Sequence, residues 1–157
     1  MKILLIEDSR FLRAAIERSL LKAGHEVTSI ADGREASLAA RSRLPDVILL
    51  DMMLPGLVGT SVLSELKQDA STSHIPVIVL TALSRQNERK LKQAGAAAFI
   101  EKSALGLEKT ADSLLLAIMG ALDPPSDAPD PSRSYLPKAD AEKPNAEARD
   151  NSAEGTT

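Results

Sequence analysis

The sequence is poor in the side chains on which several classes of enzyme depend. It contains no cysteine, which excludes a disulfide framework, a thiol nucleophile and a zinc site with thiolate ligands. Its only two histidines, His25 and His74, argue against a histidine-rich metal centre and a Ser-His-Asp hydrolase. No run of about eighteen apolar residues occurs, and the short apolar start at residues 3–6 leads directly into two carboxylates. We therefore expect a soluble, cytoplasmic protein without a membrane span or signal peptide.

Charge and proline are distributed unevenly along the chain. Residues 123–157 contain six of the nine prolines, and eight acidic against four basic side chains. The rest of the chain holds 14 acidic and 15 basic side chains, so bulk charge does not favour nucleic acid as a partner. No helix-turn-helix pattern follows Leu122, and we therefore expect no recognition of DNA.

The last part of the chain has few side chains with which to build a core. Tyr135 and Leu136 are the only bulky apolar residues after position 122. They cannot offset the cost of ordering the backbone, about 1–2 kcal/mol per residue. The sequence therefore predicts a folded domain over residues 1–122 and a disordered tail, rich in proline, alanine and aspartate, over residues 123–157. This tail could be a linker, a docking segment around Tyr135 and Leu136, or an exposed tail without a single partner.

Short apolar runs alternate with segments of helical spacing in residues 1–122. Runs typical of buried parallel strands occupy residues 2–6, 25–30, 47–50, 77–80 and 97–100. Helical spacing follows Asp8 or Ser9, recurs at residues 33–43, 60–69 and 84–94, and follows Ser103. Residues 51–59 contain Pro55 and Gly56 and are predicted to form a loop. This alternation predicts a doubly wound α/β fold, with helices on both faces of a five-stranded parallel sheet in the flavodoxin-like order 2-1-3-4-5.

Polar side chains follow four of the five predicted strands. The first strand ends at Glu7 and Asp8, the third at Asp51, the fourth at Thr81 and the fifth at Lys102. Ligands of open parallel sheets bind just beyond the carboxyl ends of the strands. We therefore expect three carboxylates, a hydroxyl and an ammonium to meet at one edge of the sheet.

This combination of groups suits the binding of a metal ion and a phosphoryl group. Oxygen ligands are those that Mg²⁺ prefers, and it typically takes one or two carboxylates together with water and phosphate. The ammonium of Lys102 and the hydroxyl of Thr81 would then contact other oxygens of a phosphoryl group. The sequence has no glycine-rich nucleotide-binding loop. The carboxylate of Asp51 is therefore itself a candidate nucleophile that would form an acyl phosphate.

Four short motifs resemble the receiver domain of bacterial two-component response regulators, in the order and with nearly the spacing that is familiar in that family. They are Ile6-Glu7-Asp8, Asp51-Met52-Met53-Leu54-Pro55-Gly56, Leu80-Thr81-Ala82 and Phe99-Ile100-Glu101-Lys102. The resemblance covers residues 1–122. Each motif is weak alone, but the four together are specific.

The resemblance implies a role for each residue of the predicted site. Asp51 would accept a phosphoryl group from a histidine kinase or a histidine phosphotransfer protein. Mg²⁺ would be held by Glu7, Asp8, Asp51 and the backbone carbonyl of Met53, and Lys102 would neutralise a phosphoryl oxygen.

A conformational switch is implied as well. Thr81 would move toward the phosphoryl group, and Phe99 would turn inward into the space that Thr81 leaves. The surface of the last two helices and the fifth strand would then change, and partners in this family bind at that surface.

The chain departs from the family pattern near the site. The residue after the motif lysine is usually a proline in a cis peptide bond, and here it is Ser103, so the Lys102–Ser103 bond is expected to be strained or trans. Val58 stands where an acidic residue is common. Neither Met53 nor Leu83 can orient an attacking water by hydrogen bonding, which predicts slow hydrolysis of the phosphorylated form.

Several functions are compatible with these residues. We favour a stand-alone phosphoacceptor module that is no enzyme beyond self-directed phosphotransfer and dephosphorylation, and that acts as a monomer or a phosphorylation-dependent dimer. A degenerate receiver that serves only as a protein-interaction module is the alternative. A phosphatase of the dehalogenase type is disfavoured, because Met53 occupies the place of its second acid. The sequence identifies neither the cognate kinase nor the downstream target.

Overall fold

The computed structural model describes residues 1–82, 88–104 and 110–122, all of which belong to one unit, Met1–Ser126. The described residues do not include Leu83, the first residues of the helix predicted at 84–94, or the predicted tail at 123–157. No helix in the described ranges is long and apolar enough to span a membrane.

Five strands form a parallel sheet in the predicted order. They are β1 (Lys2–Ile6), β2 (Glu26–Ile30), β3 (Val47–Asp51), β6 (Val77–Thr81) and β7 (Ala98–Glu101). The observed order is β2-β1-β3-β6-β7, which confirms the doubly wound arrangement expected from the sequence. The register aligns Asp51 with Leu80, and Thr81 with Glu101. The carboxyl ends of β3, β6 and β7 therefore lie side by side.

Among the described residues, five α-helices and two 3-10 turns lie between and after the strands. The helices are α1 (Arg10–Lys22), α2 (Ala36–Arg43), α3 (Gly59–Gln68), α4 (Glu88–Gln93) and α5 (Thr110–Leu122), and the 3-10 turns are Gly33–Glu35 and Lys102–Ala104. Helix α1 begins where the sequence predicts, because the hydroxyl of Ser9 accepts a hydrogen bond from the N–H of Leu12. After α1 the chain turns at Gly24, whose φ of 82° suits glycine.

The core has two layers, one on each face of the sheet. Residues of α2, α3 and α4 cover the face that contains Leu50 and Val79. Residues of α1 and α5 cover the opposite face, which contains Leu49 and Leu80. Because successive residues of a strand point to opposite faces and both faces are covered, the apolar run at residues 47–50 is buried along its whole length.

The segment between β3 and α3 corrects one prediction. Residues 51–59 do not form a simple loop, because β4 (Met53–Leu54) pairs antiparallel with β5 (Leu57–Val58) in a small hairpin. Gly56 turns the hairpin with a φ of 74°, a conformation that glycine adopts readily. Strands of two residues are too short to produce an alternating pattern, and the pairing was therefore not visible in the sequence.

Gly59, the first residue of α3, lies against the backbone of the segment that carries Asp51. A Cβ atom at Gly59 would lie 2.6 Å from Cα of Met52 and 2.7 Å from the carbonyl oxygen of Asp51. The N–H of Gly59 also donates to the carbonyl oxygen of Met52, at 3.2 Å. A side chain at this position must therefore displace the backbone next to Asp51.

We predict that Gly59→Ala destabilises the fold by about 1–3 kcal/mol, because the new methyl group would overlap backbone atoms that cannot rotate away. Gly120→Ala is the matched control, since a Cβ atom at Gly120 would meet nothing within 4 Å. In the α5 helix this substitution is expected to stabilise by about 0.5–1 kcal/mol. Urea unfolding followed by circular dichroism measures both, and equal midpoints for the two variants would contradict the close approach at Gly59.

Candidate functional site

The acidic and basic side chains singled out in the sequence come together at the carboxyl edge of the sheet. Glu7 directly follows β1, Asp51 ends β3 and Lys102 directly follows β7. The ammonium Nζ of Lys102 lies 2.8 Å from Oε2 of Glu7 and 2.8 Å from Oδ2 of Asp51. One lysine from late in the domain sequence therefore bridges a carboxylate from near its start and another from near its middle.

Both bridged carboxylates are held at their second oxygen by a backbone N–H group. Oε1 of Glu7 accepts from the N–H of Ser9 at 3.1 Å, and Oδ1 of Asp51 accepts from the N–H of Met53 at 3.0 Å. The side chain of Glu7 is fully buried and that of Asp51 is 1% exposed, whereas Lys102 keeps 20% of its side chain exposed. The carboxylates are thus fixed in orientation, and the lysine is the most exposed of the three side chains.

The protonation equilibria reflect burial and close ionic contact. Burial raises the pKa of the Glu7 carboxyl above its usual value, although the hydrogen bond from Lys102 acts in the opposite direction. Burial would lower the pKa of Lys102, but hydrogen bonds to Asp51 and Glu7 outweigh it and raise that pKa. The lysine therefore stays charged, whereas ionisation of Glu7 costs free energy of folding.

Three carboxylates in this site could hold a divalent cation. One oxygen from each of Glu7, Asp8 and Asp51 lies within 4.8 Å of the others. Asp8 is exposed, while Glu7 and Asp51 are buried. A set of hard oxygen donors around a partly open position fits Mg²⁺. The involvement of the Met53 carbonyl stays a prediction.

Arg13 is a site residue that the sequence analysis missed. Its Nη1 donates to the carbonyl oxygen of Glu7 at 2.7 Å and to that of Asp8 at 3.2 Å. The guanidinium reaches back from the first turn of α1 and fixes the backbone of the acidic pair. Arg13 follows Asp8 by five residues, which is compatible with such a contact, but no sequence pattern distinguishes it from a solvated arginine.

Thr81 and Phe99 lie on the sheet face that α2, α3 and α4 cover. Thr81 is 5% exposed and ends β6, and Phe99 on β7 is half-buried against the core cluster of that face. A cavity of about 230 Å³ opens beside Thr81, lined also by Met52, Met53, Val58, Thr60, Lys90 and Leu91. The two predicted switch residues thus share a face with an open space, and their roles stay predictions.

The Lys102–Ser103 bond is trans, since no cis peptide bond occurs among the described residues. Lys102 nevertheless reaches both carboxylates from the 3-10 turn Lys102–Ala104. The prediction that Ser103 caps the last helix concerns residues that lie outside the described ranges.

Comparison with known proteins agrees with this fold and identifies the family. The family model of the response regulator receiver domain matches residues 3–110, and the chain therefore belongs to that family. It is 38% identical over 102 residues to the response regulator PleD of Caulobacter vibrioides, an alignment that covers 64% of this chain but only 22% of PleD. It is 37% identical over 102 residues to the polar-differentiation response regulator DivK of Brucella anthropi, covering 64% of this chain and 82% of DivK.

A solved structure shares the fold and holds a metal. The receiver domain of the sensor histidine kinase PA1611 of Pseudomonas aeruginosa, with a magnesium ion in its active site cleft, matches with a TM-score of 0.65 and 32% identity. The match covers 76% of this chain and 96% of that one. The protein described here is accordingly a receiver domain of two-component signalling with the acidic cluster at which such domains bind Mg²⁺.

The raised pKa of Glu7 leads to a prediction about stability and pH. A carboxyl with a higher pKa in the folded than in the unfolded state destabilises the fold once it ionises, so its cost grows as the pH rises above the unfolded value of 4.5. We therefore expect Glu7→Gln to be more stable than the unsubstituted protein at pH 7 without divalent ions, and this advantage to shrink toward pH 4.5. Urea midpoints across this range measure it, with Glu26→Gln on the exposed start of β2 as control. A gain in stability that does not change with pH, or that Glu26→Gln shows equally, would contradict the raised pKa of Glu7.

Proposed function

We propose that this domain is a phosphorylation-dependent switch in which Asp51 accepts a phosphoryl group. The observation that carries the proposal is the single Lys102 ammonium, 2.8 Å from a carboxylate oxygen of both Asp51 and Glu7. A structural ion pair needs one carboxylate per lysine. A second buried carboxylate beside the first is costly for stability alone, and it is useful where a cation and an anionic group must be bound together.

The reaction proposed is the transfer of a phosphoryl group from an imidazole to a carboxylate. A carboxylate oxygen of Asp51 forms a bond to phosphorus while the bond from phosphorus to the imidazole nitrogen breaks, and the nitrogen keeps the electron pair. The N–H of Met53, 3.0 Å from Oδ1, orients the carboxylate. The ammonium of Lys102 can stay at the site and neutralise one phosphoryl oxygen as the charge of the group arrives.

Mg²⁺ is the cofactor that this donor set fits. Glu7, Asp8 and Asp51, with the Met53 carbonyl as a fourth donor, would hold it, and the ion would offset negative charge on the phosphoryl oxygens. The contacts from Arg13 to the carbonyls of Glu7 and Asp8 support this role, because they fix the backbone that carries two of the donors.

The output of the switch is proposed to depend on Thr81 and Phe99. The hydroxyl of Thr81 would contact the phosphoryl group, and the ring of Phe99 would turn inward beside it. The cavity next to Thr81 supports this motion, because space for a side chain already exists on the face that both residues share. The change would alter the surface of α4, β7 and α5.

The partners and setting follow from the same proposal. The phosphodonor would be a histidine kinase or a histidine phosphotransfer protein of the cytoplasm. The downstream target would be another protein rather than DNA, and the domain would act as a monomer or as a dimer formed on phosphorylation. Residues 123–157 are proposed to be a disordered tail attached to the domain of residues 1–122. No activity on external substrates is proposed.

We predict that incubation with Mg²⁺ and acetyl phosphate adds about 80 Da to the intact mass, and that Asp51→Asn abolishes the addition because the nucleophilic oxygen is lost. Asp46→Asn is the matched control, since the exposed Asp46 lies just before the opposite end of the same strand. Removal of Mg²⁺ should also prevent loading. An unmodified mass under all conditions would favour the alternative, a degenerate receiver that binds partners without phosphorylation.

We predict that the phosphorylated protein hydrolyses slowly, over minutes or longer rather than seconds. Met53, 64% exposed and two residues from Asp51, offers no hydrogen bond to an attacking water. Met53→Asn should therefore accelerate the loss of labelled phosphate severalfold, because an amide could orient that water. Val58→Asn, which places the same amide on the partner strand of the hairpin, controls for polarity alone. A lifetime of seconds for the unsubstituted protein would contradict the idea.

A further inference from the structure

A charged side chain of α4 lies over the ring of the predicted switch residue. Nζ of Lys92 is 5.6 Å from the centroid of the Phe99 ring. This distance is within the range of about 6 Å at which an ammonium is attracted to an aromatic face. Lys92 is exposed and Phe99 is half-buried, so the ammonium covers the outer side of the ring.

The connection between α4 and β7 fixes the two residues relative to each other. Helix α4 ends in a turn at Gly95, whose φ is 97°, and the N–H of Ala96 donates to the carbonyl oxygen of Leu91 at 3.0 Å. The N–H of Ala97 donates to the carbonyl oxygen of Val77 at 2.8 Å and ties the following residues to the sheet. The contact between Lys92 and Phe99 is therefore set by a hydrogen-bonded frame and does not require a long flexible segment.

An open cavity lies on the same face of the sheet as the ring. Leu91 lines the cavity of about 230 Å³ beside Thr81 and belongs to the core cluster against which Phe99 packs. Phe99 aligns with Val79, two residues before Thr81, so Phe99 and the cavity-lining Thr81 stand on the same face of neighbouring strands. The observed position of the ring, with the ammonium over it, competes with an inward position toward this cavity.

We propose that Lys92 is a positioning residue that holds Phe99 in the observed position and so opposes the inward, phosphorylated arrangement. The inference rests on the proposed function, in which the Phe99 ring turns inward. Loss of the ammonium removes an attraction that only the outward arrangement makes, and the equilibrium shifts inward by about two- to fivefold. In this proposal Asp51 is loaded from the fraction of molecules that already have the ring inward, so the same change speeds its phosphorylation. Neutralisation of the Lys92 charge, by substitution or by acylation, would thus sensitise the domain.

The experiment uses the full chain and three variants. Lys92→Met removes the charge and keeps an unbranched side chain, and Lys92→Arg keeps a cation that can lie over the ring. Arg89→Met removes the same charge from an exposed position of the same helix. Loading of Asp51 from acetyl phosphate with Mg²⁺ is timed by intact mass. We expect about a two- to fivefold faster rate for Lys92→Met, and the rate of the unsubstituted protein for the other two variants.

Fluorine NMR gives an independent measure of the ring. The chain contains only two phenylalanines, so uniform fluorophenylalanine labelling yields two resonances, and the 71% exposed Phe11 serves as the internal reference. In Lys92→Met, phosphorylation should move the Phe99 resonance less than in the unsubstituted protein, because part of the inward population already exists. A structural defect alone would not speed loading.

The outcomes separate the two levels of the argument. Normal loading of the unsubstituted protein with an unchanged or slower rate in Lys92→Met would overturn the role of Lys92 and leave the proposed function standing. An equal acceleration in Arg89→Met would also overturn it, because the effect would then follow net charge. If acetyl phosphate does not phosphorylate the unsubstituted protein, the proposed function is wrong, and the role of Lys92 falls with it.

Discussion

The ammonium of Lys102 is the group on which the site depends. Glu7 and Asp51 are both removed from water, and taking a carboxylate out of water costs several kcal/mol per ion unless a partner compensates. Their mutual repulsion adds to this cost and contributes to the raised pKa of Glu7. One ammonium at 2.8 Å from each of them offsets part of both effects. The domain can therefore fold with this pair buried. Binding of a further cation beside the two carboxylates would still be favourable.

The sheet determines where this cluster forms. In a parallel sheet the carboxyl ends of all strands lie at one edge, and Glu7, Asp51 and Lys102 each stand at or just after such an end. Burial of both faces fixes the register, since a shift by one residue would exchange side chains such as Leu49 and Leu50 between two different core layers. The precision of the polar site thus derives from the apolar packing beneath it.

The parallel sheet and the position of the charged site could be predicted from the sequence, because apolar strand runs and the polar residues that end them are local features. The strand order and the meeting of Glu7, Asp8, Asp51 and Lys102 at one edge follow from them. The sequence could not distinguish the buried Glu7 from the exposed Asp8 beside it, since that difference depends on which way the chain turns into α1.

Features that depend on tertiary geometry could not be predicted from the sequence. The hairpin of β4 and β5 is too short to leave a periodic pattern. The contacts of Arg13 with two carbonyls, and of Lys92 with Phe99, join side chains whose types are common on helix surfaces. Only the placement of the neighbouring elements distinguishes such residues from solvated ones.

The departures of this chain from its family concern the surroundings of the site rather than its charged groups. Ser103 replaces the usual proline, and the bond that joins it to Lys102 is trans. The pairing of Thr81 with Glu101 nevertheless brings the chain to the sheet edge, and the side chain of Lys102 contacts both carboxylates there. Exposed Met53 and Val58 pair across the hairpin at the position where polar side chains are usual. The charged groups that would form the acyl phosphate are therefore unchanged, whereas the groups that would admit and orient water are apolar. Under the proposed function, such a site would form a phosphorylated state and lose it slowly.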